Sequence, residues 1–189
     1  MSNNLDFLVL GGGCFWCTEA IFSRVRGVEK VTAGYAGGHT ENPDYYSVVS
    51  GRTGHAEVIK VEFNPKREHS EVSASKVTLN DLLEIFFATH DPSTLNRQGA
   101  DHGTQYRSIL LANSPEQLEA IQRYVAQLAA SADAPAAPIV TEVKLLEAFY
   151  PAEISHQEYH ELQTEAPYCQ IVIAPKIAKF LQKFKDKAK

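Results

Sequence analysis

Three cysteines carry the reactive chemistry of this sequence. Cys14 follows Gly11-Gly12-Gly13 where a helix should begin, Cys17 stands three residues on, and Cys169 sits near the C-terminus. Unpaired amides at a helix start favour a nearby negative charge, so Cys14 is expected to ionise more easily than a free cysteine. The glycines before it let the backbone approach a ligand closely. Cys17 falls one turn on, on the same face and within disulfide reach. A reactive thiol beside a second thiol is what sulfenic-acid chemistry requires, because the second can resolve the first. Taken alone, Cys-x-x-Cys equally suits a thioredoxin-like dithiol oxidoreductase, half of a zinc site or two buried structural cysteines. Three cysteines in 189 residues are too few for a disulfide framework.

Glu57 is the carboxylate whose placement is unusual. It shares strand parity with Ile59, Val61 and Phe63, while Val58, Lys60 and Glu62 alternate with them, so Glu57 should point inward. Burial disfavours a charged carboxylate and would keep a proton there near neutral pH. Phe15 and Trp16, two adjacent aromatics at a helix start, read on periodicity as core. Of the seven histidines, His39, His55, His90, His102 and His156 fall in or beside loops and should make structural hydrogen bonds, while His69 and His160 should face solvent. No second cysteine pair completes a zinc site with Cys14 and Cys17, so no metal and no cofactor is expected.

The elements that must position these groups form a mixed pattern. Strands are expected at Asp6 to Leu10, Val28 to Tyr35, Glu57 to Phe63, Tyr106 to Ala112 and Ile139 to Ala148. Helices are expected at Cys14 to Arg26, Leu79 to Thr89 and from a capping box at Ser114-Pro115-Glu116-Gln117 to Ala130. The tail reads as a short helix around His156 to Gln163, a loop ending at Cys169, and a basic helix from Pro175. Asn64 to Val77 reads as a polar surface excursion. Two strands in succession without a helix between them argue for α+β. The loops His39 to Gly54 and His90 to Gln105 are long for a compact domain, which commonly marks function.

Bulk properties narrow the classes. The composition, 44% hydrophobic and 22% charged, is globular and fits one domain over 1–189. A net charge of −5 gives no reason to expect nucleic acid or an anionic membrane as partner. No basic-then-apolar leader opens the chain and no apolar run approaches roughly 18 residues, so the cytoplasm is expected.

Four blocks sharpen the reading: Gly12-Gly13-Cys14-Phe15-Trp16, Gly54-His55-Ala56-Glu57-Val58, Asp101-His102-Gly103-Thr104-Gln105-Tyr106-Arg107-Ser108 and His156-Gln157-Glu158-Tyr159. Together and in this order they resemble the signature blocks of the peptide methionine sulfoxide reductase A family, from near the start to near residue 170. The resemblance implies a two-layer α/β sandwich with a ferredoxin-like mixed sheet, wrapped by long loops. It implies reduction of methionine S-sulfoxide, free or in oxidised proteins, with thioredoxin as reductant, in a protein expected to act as a monomer. Cys14 would attack the sulfoxide sulfur, and Glu57 would be the acid that protonates its oxygen. Phe15 and Trp16 would enclose the substrate methyl group. Tyr45 and Tyr106 would hydrogen-bond the sulfoxide oxygen, with Asp101 supporting the pocket and Tyr159 beside it; Tyr168 matches in the same variable tail. Parity does not say whether Tyr45 or its neighbour Tyr46 points inward, and a loop aspartate such as Asp101 is commonly a turn cap.

The sequence departs from the commonest family pattern in having Cys17 where glycine is usual. It keeps Tyr168-Cys169, resembling the family's distal resolving position, but the following Gln170-Ile171-Val172-Ile173 is β-prone, not glycine-rich. Resolution by Cys17, by Cys169, or by relay from one to the other therefore all stand. The basic run Lys176 to Lys189 could contact an acidic partner, but with Ile177, Phe180, Leu181 and Phe184 between the lysines it reads more simply as an amphipathic helix.

Overall fold

A computed structural model of the protein describes residues 5–65 and 77–189. Most of the expected polar excursion, with His69, lies outside the described residues. In chain order the elements are β1 (Asp6–Gly11), α1 (Phe15–Phe22), β2 (Val28–Ala36), α2 (Tyr45–Val49), β3 (Ala56–Phe63), α3 (Leu79–Thr89), β4 (Arg97–Gln98), β5 (Asp101–His102), β6 (Ile109–Ala112), α4 (Pro115–Ala129), β7 (Glu142–Leu145), β8 (Phe149–Pro151), α5 (Tyr159–Leu162) and α6 (Ala174–Lys183). Six strands form one mixed sheet in the order β7-β6-β1-β3-β2-β8. Every pairing is antiparallel except β6 with β7.

Strand alternation splits the apolar residues between two faces, as period two requires. Leu8, Leu10, Ala33, Tyr35, Ile59 and Val61 face one core, joined by Ile21 and Phe22 of α1, Leu83 and Phe86 of α3, Ile121 of α4 and Ile177 and Phe180 of α6. Val9, Ala36, Ala56, Val58, Ile109 and Leu111 face the other side, covered by Phe7, Leu146 and Phe149. Helices thus layer one face only, and connecting segments cover the other.

Several expectations need correction. The expected strand Ile139 to Ala148 is only β7, and the chain then crosses to the opposite edge of the sheet to make β8 beside β2. Gly34 admits that crossing: a Cβ there would meet the Phe149 ring and the Tyr150 carbonyl at 2.5 Å. The strand expected from Tyr106 begins at Ile109, because Thr104–Tyr106 forms a 3₁₀ turn. Helix α1 stops at Phe22, four residues short of Arg26, and Gly27 lies beyond it with φ +88°. Both long loops hold structure of their own: α2 in the first, the β4–β5 hairpin in the second. Ser114 does cap α4 by accepting the Gln117 amide at 3.1 Å, but the Gln117 side chain reaches the Asn113 amide, so the reciprocal box does not close.

The tail differs most. Cys169–Ile173 is helical and runs directly into α6, in place of a loop and a β-prone stretch. Cys169, Ile173, Ile177, Phe180 and Phe184 are all buried, and their spacing of four, four, three and four is that of one helical stripe. Burying that stripe outweighs the β-branched preference of Ile171, Val172 and Ile173. Lys187, on the final turn, pairs with Asp81 at 2.9 Å and with Glu84. The basic run is therefore the polar side of a packed helix and its end.

The turn before α1 demands glycine. Gly13 has φ +97°, and a Cβ there would stand 2.7 Å from Cβ of Gln98 in the β4–β5 hairpin. Gly13→Ala is expected to lose about 1–3 kcal/mol of stability, read from urea unfolding, and to push away the hairpin that carries Asp101.

Candidate active site

The site lies at the end of the sheet where β1 and β2 finish and β3 and β6 begin. Antiparallel pairing brings the turn after β1, the two long loops and the start of β3 to that one end. This is why blocks far apart in the chain converge.

Cys14 occupies the N-cap of α1 and accepts the backbone amide of Cys17 on its carbonyl at 3.1 Å. Its thiol is 8% exposed, while Cys17 is buried at 2%. Position N3 of a helix faces back on the N-cap, the geometry that closes capping boxes with other residue types. Here it places the two thiols close enough for each to shift the other's ionisation. The expectation that Cys14 itself ionises easily is corrected. Its thiol is pushed well above the ordinary range by its hydrogen bond to Cys17, by burial and by the Glu57 charge. Cys17 is pulled down to about 7, first by the Cys14 hydrogen bond and also by Lys176. The two thiols titrate as one interacting pair, in which Cys17 gives up its proton more readily than Cys14.

The first free amide of α1 is taken by another group. Phe15 N–H donates to Oε2 of Glu57 at 3.1 Å. Glu57 is 2% exposed, pointing inward from β3 as its parity requires, and burial pushes its carboxyl up to about 8 against the pull of that amide. At neutral pH it is a proton-bearing acid beside a thiol.

Cys14, Phe15, Trp16, Tyr45, Glu57, Asp101, Tyr106 and Tyr168 line one cavity of about 70 Å³. Its size suits the end of one side chain, and much larger clefts lie elsewhere on the surface. Tyr45 lines it while Tyr46 is 83% exposed, so the choice between the two is made by the structure. The phenol groups of Tyr45, Tyr106 and Tyr168 are all raised, burial being the largest cause, and remain proton donors. Asp101 is more than a turn cap: its carboxylate accepts the Tyr168 hydroxyl at 3.4 Å, and Tyr168 also contacts Cys17 Sγ at 3.7 Å. Tyr159 does not line the cavity. It stacks behind Trp16, ring centres 3.7 Å apart and 7° from parallel.

Cys169 is 1% exposed at the start of the helical tail, and burial, with the nearby Cys17 charge, raises its thiol. All three cysteines are free.

Some contributors were not legible. Glu153 accepts the Tyr35 hydroxyl and the Tyr45 amide, both at 2.8 Å, and so holds α2 in place; nothing in its local sequence marks it. His156 makes no structural hydrogen bond through Nδ1, which has no partner among the described residues. Its ring stacks on Tyr45 at 4.4 Å and on Trp16 at 5.6 Å. His160, expected at the surface, is half-buried beside Arg24. His39 and His102 are exposed. His55 and His90 do serve structure: His55 accepts the Gly38 amide at 3.1 Å and donates to Thr40 O at 2.8 Å, and both nitrogens of His90 are bonded at 2.7 Å. Among the described residues no helix is long and apolar enough to cross a membrane.

The family model described as peptide methionine sulfoxide reductase matches residues 6–189. The peptide methionine sulfoxide reductase MsrA of Trichodesmium erythraeum is 50% identical over 182 residues, covering 96% of this chain and 97% of that one. Among solved structures, reduced Mxr1 from Saccharomyces cerevisiae superposes with a TM-score of 0.76 at 31% identity, covering 89% of this chain and 91% of the other. A second structure of Mxr1, in complex with Trx2, shares the fold with a TM-score of 0.54 at 24% identity, over 84% of this chain and 87% of that one.

Proposed function

The chain belongs to the peptide methionine sulfoxide reductase family and is thereby an oxidoreductase acting on methionine sulfoxide; from that premise we propose that it reduces the S epimer, free or in proteins, with Cys14 as nucleophile and Cys17 as first resolving thiol. The observation that carries this reading is the small cavity where a thiol, a proton-bearing carboxyl, three phenols and two aromatic walls converge.

The substrate methyl group rests against Phe15 and Trp16, and the sulfoxide oxygen lies toward Glu57, Tyr45 and Tyr106. Cys14 Sγ attacks the sulfur while its proton passes to the Cys17 thiolate. Glu57 gives its proton to the oxygen, which a sulfoxide needs before the S–O bond will break. The hydroxyl passes from the substrate sulfur to Cys14 Sγ as the bond between the two sulfurs and the substrate S–O bond break, so methionine leaves and Cys14 becomes a sulfenic acid. Cys17 then attacks Cys14 Sγ, an S–S bond forms, and the hydroxyl leaves as water with the proton Cys17 had accepted. Both hydrogens of that water come from Cys14 and Glu57, and Glu57 is left ionised. The sulfoxide gains two electrons and the two thiols lose them.

The disulfide must then be reduced by a dithiol protein. Thioredoxin fits that role, and a yeast protein of this fold has been solved bound to Trx2. Cys169, whose thiol feels the Cys17 charge, can take over the disulfide in a relay before reduction. We further assign the connectivity β1-α1-β2-β3-α3-β6, with its strand order β6-β1-β3-β2, to the ferredoxin-like class within a two-layer sandwich. We treat 1–189 as one catalytic domain, acting as a monomer in the cytoplasm, where a reduced dithiol is maintained.

The test is turnover of the separated S and R epimers of methionine sulfoxide with a thioredoxin system. Methionine should form from the S epimer alone. Equal rates with both epimers would overturn the stereochemical assignment, and no turnover of either would overturn the function.

A further inference from the structure

A buried carboxylate that the reaction above does not use lies one turn beyond Trp16. Glu19 of α1 is 3% exposed. Its Oε1 accepts the backbone amide of Glu158 at 2.9 Å and its Oε2 accepts that of Tyr159 at 3.3 Å. Glu158 holds the left-handed conformation, φ +51°, at the entry to α5, and its own side chain makes no cap. Glu19 therefore supplies from α1 the acceptors that a residue at 158 would ordinarily supply, at a backbone turn that disfavours any residue but glycine. Burial raises this carboxyl, and the two amides offset only part of that effect.

The consequence runs back to the cavity. The amide fixed by Glu19 Oε2 belongs to Tyr159, whose ring lies flat on Trp16, and Trp16 is a wall of the cavity. Trp16 and Glu19 stand three residues apart on one helix, so the loop that Glu19 anchors must return to the same helical face. No hydrogen bond fixes the indole, since Trp16 Nε1 is buried with no partner among the described residues. The orientation of the indole thus depends on ring packing, of which the Tyr159 stack at 3.7 Å is closer and flatter than the His156 stack at 5.6 Å, and the Tyr159 stack depends on where residues 158 and 159 are held.

We propose that Glu19 is a positioning residue for substrate binding, acting through the Glu158 and Tyr159 amides and the Tyr159 ring to set the plane of Trp16. This rests on the reading of Phe15 and Trp16 as the substrate wall. Glutamine at 19 offers one acceptor oxygen in place of two, and aspartate is one methylene too short to span both amides.

The test uses Glu19→Gln, Glu19→Asp, Tyr159→Ala and the double variant Glu19→Gln/Tyr159→Ala, all measured well below their melting temperatures. Trp16 is the only tryptophan in the chain, so its fluorescence in the substrate-free protein reports the stack directly. Each single variant should shift Trp16 emission to longer wavelength and raise KM for methionine sulfoxide about tenfold, with kcat within about threefold. The double variant should be no worse than Tyr159→Ala alone, because both changes break the same chain of contacts. A lowered melting temperature with unchanged emission and KM would make Glu19 merely structural and overturn the proposal. Effects that multiply in the double variant would overturn it too. Should neither Glu19 variant fold, Tyr159→Ala with wild-type emission and KM would still overturn it. Wild-type turnover separates these outcomes from failure of the functional reading. Shifted emission without any sulfoxide turnover would overturn that reading, and with it the substrate-binding part of this proposal.

Discussion

Replacing Glu57 with glutamine will slow methionine release in a single turnover by about two to four orders of magnitude, the usual worth of a positioned general acid. The fold should be kept, because a glutamine carbonyl can still accept the Phe15 amide that Glu57 accepts at 3.1 Å. What disappears is the proton. Burial holds the Glu57 carboxyl up at about 8, so it is protonated through neutral pH and loses its proton as pH rises past that value. The wild-type rate of the reductive step should therefore fall above pH 8, and the variant should lack that limb. Stability follows the same linkage. A carboxyl raised in the folded state contributes stability fully present below its ordinary value and lost as pH rises through about 8. Holding a proton one pH unit past its ordinary release point corresponds to about 1.4 kcal/mol. Urea midpoints of the wild type should therefore decline between pH 5 and 9 more steeply than those of Glu57→Gln. A variant as fast as wild type, or a wild-type rate flat through pH 8, would sink the assignment.

The second large effect concerns Cys17. With serine at 17, Cys14 should still release about one equivalent of methionine per chain, but multiple turnover with thioredoxin should drop by roughly a hundredfold or more. The loss is that of a partner held in contact at the N3 position, and proximity of that kind is worth several orders of magnitude. The Cys14 sulfenic acid should then accumulate and be trapped by a dione reagent. Cys169→Ser should keep the first disulfide, and peptide mapping of wild-type protein after one equivalent of sulfoxide should find Cys14 joined to Cys17. A first disulfide between Cys14 and Cys169, with Cys17→Ser turning over normally, would reverse the order.

The two effects share a cause. Of the two thiols Cys17 gives up its proton more readily, and in the proposed reaction it is both proton acceptor and, later, nucleophile. A lone thiol at a helix N-cap would be helped by the free amides there. In this protein the Phe15 amide serves Glu57 instead.

Much of the architecture follows from local pattern. Alternation in β3 predicts that Glu57 faces inward with Ile59 and Val61, because period two leaves no other choice once the apolar face is buried. Leu79–Thr89 is a helix at the expected bounds, since its apolar residues repeat at helical spacing and Thr78 and Asp81 close a capping box. The glycines before Cys14 mark the tight turn that Gly13 makes at φ +97°. The four blocks and their order were enough to indicate the family. Only the tertiary structure decided the rest. Which of Tyr45 and Tyr46 faces the cavity depends on Glu153, more than a hundred residues away, holding α2 by its first amide. The tail around Cys169 is helical because a stripe of buried side chains packs on α1, a contact that outweighs the β preference of Gln170 to Ile173. The ionisation of the thiols could not be read from helix position, because it is set by a carboxylate from β3 and a lysine from α6 as well as by the neighbouring thiol. Local spacing determined which side chains could react; burial and long-range contacts added to the neighbouring thiol in setting how readily each gives up its proton.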